Sequence, residues 1–215
     1  MRLRSEQVLS LGLWLGVVAF CLWARYQLPD APIAIHFGAD GQPNGYMPRD
    51  VALAFGPALM LGFGLLLWIL PALSPKGASL KRSQSAFDAT QLAIIAFLAV
   101  VHIVVVLKAL GVQMDIISIL SLGTGFLFLI IGNLLPKTRF NYFMGVRTPW
   151  TLSDERVWDR THRLAGPLFM LAGLAIILAA CLLPQAWQMN VLLTSTLGAA
   201  FIACAYSYLV AKTLR

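Results

Sequence analysis

Six long apolar runs dominate this chain and leave few folds open to it. They cover residues 8–24, 51–73, 90–107, 116–135, 164–183 and 191–210. A helix needs roughly 20 apolar residues to cross the hydrocarbon core of a bilayer. Because lipid offers no hydrogen-bond partner to the backbone, a span must be a helix or part of a closed barrel. The runs are continuous rather than alternating, so the sequence predicts an all-α polytopic membrane protein with six transmembrane helices.

The composition supports a membrane protein. Of the 215 residues, 59% are hydrophobic and 12% are charged, whereas a soluble domain is about 25% charged. The lipid bilayer is therefore the expected partner. Residues 8–24 lack a clean signal-peptidase site, and we expect them to be retained as the first span. The cysteines, Cys21, Cys181 and Cys204, fall inside apolar runs without metal-ligand spacing, and the sequence predicts no metal site and no cofactor.

The distribution of positive charge predicts the orientation. Of the 16 lysines and arginines, Arg25, Arg49 and Lys108 lie in one set of alternate loops and the other 13 lie in the second set. Because cytoplasmic loops carry the excess of Lys and Arg, both termini are predicted to be cytoplasmic, in a bacterial inner membrane. This asymmetry accounts for the net charge of +7 without direct nucleic-acid binding.

Loop lengths divide the chain into a two-helix unit, residues 1–75, and a four-helix unit, residues 86–215. The first unit contains a patterned outer loop, residues 28–46, in which the pairs Asp40-Gly41 and Asn44-Gly45 tolerate positive φ. Residues 33–37 are expected to form a short extended piece. Two interpretations are open: an ordered cap over the first two helices, or a receptor surface for an extracytoplasmic ligand. The candidate ligand-binding residues are His36, Gly38, Asp40 and Gly41.

Polar residues near the spans predict caps and exclude some mechanisms. Asp50 and Asp115 stand at helix N-cap positions, and Ser85 with Asp88 matches a capping box. His102 lies inside the third span and is expected to be neutral and to hydrogen-bond a neighbouring helix, with a proton relay as the alternative. All nine acids lie at or beyond the span ends, which argues against a proton-driven carrier. No catalytic constellation is present, so the chain is not expected to be an enzyme.

The inner loop, residues 136–163, carries a density of Arg, Trp, Thr and His that lipid solvation does not require. Thr151 or Ser153 is expected to cap a helix on which three arginines, 156, 160 and 163, share one face. The pattern predicts an amphipathic cytoplasmic helix on the inner membrane surface, running into the fifth span. Asn133, just before the loop, is expected to hydrogen-bond within the bundle. Three interpretations are open: an interfacial collar, a docking site for a cytoplasmic protein, or an anion site centred on Arg147.

These residues resemble a known family. The stretch 141–152, NYFMGVRTPWTL, and the stretch 157–163, VWDRTHR, follow a Gly-Asn pair and Pro136. This pattern resembles the SdpI family of bacterial integral membrane proteins. Residues 35–38, IHFG, with Gly41, Gly45 and Tyr46, resemble the domain of unknown function that accompanies it. The resemblance covers roughly residues 28–183, and it singles out Asn133, Pro136, Asn141, Gly145, Arg147, Thr148, Pro149, Trp150, Trp158, Thr161 and His162.

The resemblance implies a role in immunity or sensing. The founding member of the family is an immunity protein that protects its producer against a secreted peptide toxin and holds a small transcriptional repressor at the membrane, whereas many relatives have no assigned role. The expected function is therefore resistance to a peptide toxin or detection of an envelope signal, with recruitment of a cytoplasmic regulator through the inner loop. The alternative is a small-molecule or lipid permease of the inner membrane.

Overall fold

The computed structural model describes residues 4–70 and 83–214. Within these residues, six helices are long and apolar enough to cross a membrane, and the prediction of an all-α polytopic protein is confirmed. These helices are α1 (Ser5–Gln27), α2 (Arg49–Ile69), α3 (Gln84–Ala109), α4 (Ile116–Leu134), α6 (Glu155–Leu182) and α7 (Gln185–Thr213). The shorter elements are β1 (Ile33–Phe37), β2 (Pro43–Met47), a 3-10 turn (Leu135–Lys137) and helix α5 (Pro149–Ser153). The predicted end of the second span, 71–73, and the unit boundary at residue 75 lie outside the described residues.

The bundle has two ends with different chemistry. The hairpin end comprises β1 and β2, the α3–α4 turn and the start of α7. The arginine end comprises the start of α3, the segment 136–154 and the first turns of α6. Ion pairs fasten α1 to its neighbours at both ends: Arg25 reaches Asp50 of α2 at 3.0 Å, and Arg4 reaches Asp88 of α3 at 2.8 Å.

Helices α4 and α6 approach each other closely because glycines face each other across the contact. A Cβ built on Gly125 would lie 2.8 Å from the carbonyl oxygen of Gly173. About two helical turns later, a Cβ on Gly132 would lie 2.7 Å from the carbonyl oxygen of Gly166. Small residues at such positions let helix backbones pack at short range, where dispersion replaces the hydrophobic effect that lipid does not provide. Gly123, also on α4, faces the ring of Phe97 on α3.

His102 joins three of the N-terminal helices. Its Nε2 lies 3.2 Å from Cys21 Sγ on α1, and its ring packs directly on Gly56 of α2. The ring also hydrogen-bonds the backbone of Leu53, whose carbonyl lacks the usual helical donor because residue 57 is proline. The predicted helix-to-helix hydrogen bond of His102 is therefore confirmed.

The caps were predicted with mixed success. Asp115 caps α4 by accepting from the backbone N–H of Ser118 at 3.2 Å, as predicted. Asp50 does not cap α2, because the helix begins one residue earlier after Pro48, and its carboxylate pairs with Arg25 and Arg49 instead. The Ser85–Asp88 capping box was also wrong.

Helix α3 begins at Gln84, one residue before the predicted cap. Asp88 is buried in its first turns and accepts from Gln84 at 3.0 Å, in addition to its ion pair with Arg4. Because the guanidinium of Arg4 already pairs with the carboxylate of Asp88, this carboxylate does not need a backbone N–H donor. The tertiary ion pair therefore replaces the predicted local cap.

Candidate functional site

A histidine at the start of α6 holds the inner loop in place. His162 is 1% exposed, and its Nδ1 lies 2.8 Å from the carbonyl oxygen of Trp158. Its Nε2 accepts a hydrogen bond from the backbone N–H of Val146 at 3.0 Å. Because Nδ1 must donate to a carbonyl and Nε2 must accept from an N–H, the ring is the neutral Nδ1-protonated tautomer. His162 therefore connects α6 to the loop through its ring nitrogens.

Gly145 fits against this histidine for a steric reason. Its φ of +114° favours glycine, and a Cβ at this position would overlap Nε2 of His162. The backbone can thus approach the ring closely enough for the next residue, Val146, to donate to it. The contact between Val146 and the ring of His162 therefore explains why residue 145 is glycine and residue 162 is histidine.

Trp158 and Asn141 are buried beside these residues. We call Gly145, Val146 and His162, together with Trp158 and Asn141, the buried frame. Trp158 is fully buried, stacks on His162 with a 4.0 Å centroid separation, and donates from Nε1 to the carbonyl of Thr138 at 3.1 Å. Asn141, also fully buried, accepts from the N–H groups of Phe143 and Met144 at 2.8 and 2.7 Å. These bonds fold the loop into a tight turn, because an Asn side chain can replace a backbone carbonyl.

A threonine pair continues the frame into helix α7. Thr148 caps α5, and the hydroxyl of Thr151 accepts a hydrogen bond from the backbone N–H of Thr148 at 2.9 Å, which forms a capping box. The hydroxyl of Thr148 also lies 2.9 Å from that of Ser207 on α7. The loop is consequently fastened to the last helix as well as to α6.

Three neighbouring residues of the motif are presented outward on this frame. Arg147 and Pro149 are exposed, and Trp150 is half-buried, with its ring 5.2 Å from that of Tyr208 in an edge-to-face arrangement. Arg147 donates from Nη1 to the carbonyl of Tyr142 at 3.1 Å and has no carboxylate partner among the residues described here. We call Tyr142, Arg147, Pro149 and Trp150 the arginine patch.

The long helix runs into the fifth span as predicted, but its cap and the contacts of its inner face differ from the prediction. Its N-cap is Asp154, which accepts from the N–H of Arg156 at 2.7 Å, and neither Thr151 nor Ser153 caps it. From Glu155 the helix continues without a break to Leu182. The amphipathic pattern is present, but its inner face contacts the loop and not lipid. The Arg156 guanidinium beside Asp154 lowers the pKa of that carboxyl below its ordinary value.

Two hallmark residues lie apart from the frame's hydrogen bonds. Asn133 was expected to bond within the bundle, but its side chain is exposed and accepts from Lys137 at 3.4 Å. It lies at the end of α4, where water can reach it, so no interhelical partner is needed. Thr161 is fully buried, and its hydroxyl has no hydrogen-bond partner in the part of the chain that the structure describes.

The loop also contacts the N-terminal helices. Met144 packs in a cluster with Ala86 and Phe87 of α3, and Leu67 of α2 borders it. The N–H of Arg139 donates to the hydroxyl of Ser83 at 2.7 Å. Because of these contacts, a displacement of α2 or α3 would also shift the loop.

The predicted outer site folds as an antiparallel hairpin. Ile33 of β1 pairs with Met47 of β2, and Phe37 pairs with Pro43. The expected extended piece at 33–37 is confirmed. The turn uses Gly41, at φ +72°, whereas Gly45 lies in β2 with negative φ, so only the first of the two predicted turn pairs forms a turn.

The polar residues of the hairpin are exposed and satisfy one another. His36 Nδ1 hydrogen-bonds Asn44 Oδ1 across the two strands. Asp40 accepts from the N–H of Gln42 at 3.0 Å, and the N–H of Gly41 donates to the carbonyl of Gly38 at 2.9 Å. His36 and Asp40 lie at the hairpin end, opposite to the arginine patch, so the two predicted sites are separate.

The tip of the hairpin contacts the C-terminal half of the protein. A Cβ on Gly41 would lie 2.6 Å from Nε2 of Gln185, the first residue of α7. Gln185 in turn donates to Asp115, the N-cap of α4, at 3.2 Å. The same helix, α7, therefore contacts the hairpin at its beginning and the inner loop through Ser207.

Sequence reasoning missed some members of the frame. Ser83, Thr138 and Ser207 are buried hydroxyl residues that bind the loop or its immediate neighbours. Ser207 lies in the last apolar run, and its partner, 59 residues away in the sequence, leaves no local signal. The resemblance to the family pattern did not include these three positions.

Comparisons with known proteins agree with this arrangement. Residues 137–211 match the SdpI/YfhL protein family, and residues 12–61 match the domain of unknown function DUF1648. The chain is 28% identical over 151 residues to the immunity protein SdpI of Bacillus subtilis (strain 168), an overlap of 70% of each chain. No solved structure matches the chain. The first match contains the buried frame and the second contains the hairpin, and together they confirm the predicted resemblance to the SdpI family with its associated N-terminal region.

Proposed function

We propose that the chain is a non-enzymatic membrane immunity protein that detects a peptide toxin at its hairpin end and docks a cytoplasmic regulator at its arginine end. The similarity to an immunity protein supports the general role. The observation that carries the docking role is the arginine patch: an arginine without a carboxylate partner among the described residues, beside a half-buried tryptophan, on a frame that is almost entirely buried.

The chemistry of the patch suits an acidic or carboxylate-bearing protein partner. Arg147 offers a planar guanidinium that can bind a carboxylate through two hydrogen bonds. Trp150 adds an aromatic surface, and Trp and Arg are the residues that dominate protein–protein interfaces. The edge-to-face contact of Trp150 with Tyr208 and the bonds of Thr148 keep both groups oriented before a partner arrives, which lowers the entropic cost of binding.

Substitutions in the patch test the docking role. Arg147→Ala and Trp150→Ala should abolish protection against the toxin, or recruitment of the regulator, while membrane levels stay unchanged. Arg147→Lys keeps the charge but not the planar fork, and we expect it to lose at least about tenfold in partner affinity. The matched control is Arg160→Ala, which removes an exposed arginine of α6 outside the patch. If the three patch variants behave like the parent, as the control should, the patch is not a docking site.

We propose the hairpin as the surface that meets the toxin. Tyr46 is 59% exposed, and His36 and Asp40 are exposed nearby, on strands that are held by backbone pairing. An exposed aromatic residue with flanking polar groups on a rigid hairpin is suited to bind an amphipathic peptide. Tyr46→Ala should weaken protection in cells, and exposed Gln42→Ala is the control.

Helix α7 is the proposed physical link between the two surfaces. It contacts the hairpin turn through Gln185 and the inner loop through Ser207 and Tyr208. A 29-residue helix is roughly 44 Å long, and it transmits a shift at one end because its backbone hydrogen bonds keep it rigid. Ligand contact at the hairpin would thereby change how Thr148 and Trp150 are held.

A further inference from the structure

The N-terminal helices enclose a groove at the arginine end of the bundle that the immunity role does not use. Its volume is about 210 Å³, and it lies between α1, α2 and α3. We call it the tryptophan groove. Its lining includes Trp14, Met60, Gly64, Trp68, Gln91 and Ile95.

The groove opens sideways toward the bilayer. Leu61, Leu65 and Trp68 on its rim are each about half exposed, at 45%, 46% and 49%. Gly64 lies on the wall, and a Cβ built there would meet nothing within 4 Å. The absence of a side chain at residue 64 therefore creates space on a face that belongs to a membrane-spanning helix.

A buried polar group faces this apolar space. Gln91 is 6% exposed, lines the groove, and its amide forms no hydrogen bond within the described ranges 4–70 and 83–214. An unpaired amide inside a bilayer is costly. The cost is removed if a ligand supplies a hydrogen-bond acceptor to the amide.

The position of Gln91 limits what that ligand can be. It lies seven residues into α3, roughly 10 Å from the start of the helix. One turn closer to the end, Asp88 pairs with Arg4, whose side chain remains 41% exposed. Gln91 is thus at the depth where the ester groups of a lipid lie, with a cation between it and the water.

We infer that the tryptophan groove binds one glycerophospholipid of the adjacent leaflet, with an acyl chain along Gly64 and an ester carbonyl accepting from Gln91. One turn of a helix, about 10 Å wide and 5.4 Å long, occupies roughly 400 Å³, which exceeds the volume of the groove, so neither a toxin helix nor a second copy of this chain can enter it. Its volume is also below the roughly 300–1,000 Å³ of pockets for whole drug-sized molecules. A single hydrocarbon chain fits both limits, and Arg4 is placed to contact the phosphate.

Lipid retention by the purified full-length chain tests this assignment. The protein is loaded with dioleoyl phosphatidylglycerol in mild detergent, washed, and weighed by native mass spectrometry. We expect one retained lipid per chain, and about tenfold weaker retention by Gly64→Leu, which fills the groove. Gly62→Leu, on the same helix and also in open space, should retain lipid like the parent. Equal retention by parent and Gly64→Leu, or none by the parent, overturns the proposal.

A second variant separates binding from folding. Gln91→Leu should also lose the lipid, yet the lipid-free variant should melt at a higher temperature than the lipid-free parent, because it no longer buries an unpaired amide. If Gln91→Leu retains lipid like the parent, the ester contact is refuted. Loading with palmitic acid distinguishes the source of the chain: retention equal to that of the phospholipid would refute the assignment to a glycerophospholipid.

Discussion

At the scale of single residues, the inner loop depends on one glycine and one histidine. Gly145 permits the close approach that lets Val146 donate to His162, and His162 is in turn fixed by Trp158. The hallmark positions of the motif are thus mostly structural supports. The outward-facing Arg147 and Trp150 are the residues that remain available to a partner.

Gly145→Ala should destabilise the protein and disorder the loop. The positive φ alone costs an alanine about 1–3 kcal/mol, and its Cβ would also overlap His162. The measurement is the melting temperature in detergent, together with protease sensitivity of the loop.

Gly111→Ala is the matched control for this prediction. Gly111 also has positive φ, at +87°, but a Cβ there meets nothing within 4 Å, so this variant carries the backbone cost alone. If the melting temperature of Gly145→Ala falls no further than that of Gly111→Ala, the contact with His162 is unimportant for stability.

Sequence reasoning succeeded at this scale where the cause is local. Asp115 caps its helix because the acceptor and the donor are three residues apart. It failed at Asp50, Asp88 and Asn133, where arginines of another element or, for Asn133, the nearby Lys137 satisfy the side chain. It also gave no indication of the unpaired Thr161 hydroxyl, because burial of that face arises from tertiary packing.

At the scale of elements, the continuous runs predicted all six spans because lipid requires one long apolar helix for each crossing. The junction at 154–164 was harder. Its charged residues predicted an amphipathic surface helix running into the fifth span, and α6 does continue through them without a break. Its inner face is not on lipid, however, because Val157, Trp158, Thr161 and His162 are buried against the loop. Pairing of β1 with β2 was likewise not predictable from the short extended piece alone.

The α4–α6 contact predicts that one glycine-to-alanine substitution destabilises the protein and that another does not. Gly173→Ala places a Cβ 2.6 Å from the carbonyl of Gly125, and such overpacking costs about 1–3 kcal/mol. Gly198→Ala on α7 meets nothing within 4 Å, so it should be neutral or stabilising by up to about 1 kcal/mol. Unfolding in mixed micelles measures both. Equal effects would contradict the close backbone contact.

The proposed link through α7 predicts a variant that senses but does not respond. Gln185→Ala removes the residue against which the hairpin turn packs. We expect toxin binding to be kept and the response at the arginine end to fall, measured by the rate at which a maleimide labels Tyr142→Cys with and without toxin. Trp187→Ala, an exposed residue of the same helix, is the control. An unchanged labelling response in Gln185→Ala would exclude this route.

At the scale of the whole molecule, the fold separates two surfaces by the thickness of a bilayer. Contacts at both ends join the N-terminal helices to the C-terminal half: Gly41 with Gln185 at one end, and Met144 with Phe87 at the other. A sensor with two coupled surfaces needs this connection, whereas independent units would not.

The alternative role as a permease has a direct test. Purified protein in liposomes should show no flux of a fluorescent phospholipid between leaflets above protein-free liposomes, since a sensor needs no transport. The tryptophan-groove variant Gly64→Leu, which is expected to retain lipid about tenfold more weakly, shows whether any flux depends on the groove. Flux that depends on the parent protein and is lost in Gly64→Leu would favour the permease.

Opposite placement of the hairpin and the arginine patch across the membrane is the central claim, and thiol accessibility tests it most directly. In a background with Cys21→Ser, Cys181→Ala and Cys204→Ala, exposed Asp40 and Arg160 are changed singly to cysteine. A membrane-impermeant maleimide should label Asp40→Cys in intact cells and Arg160→Cys only after permeabilisation. Labelling of both in intact cells, or the reverse pattern, would contradict the proposed orientation and the sensing role that depends on it.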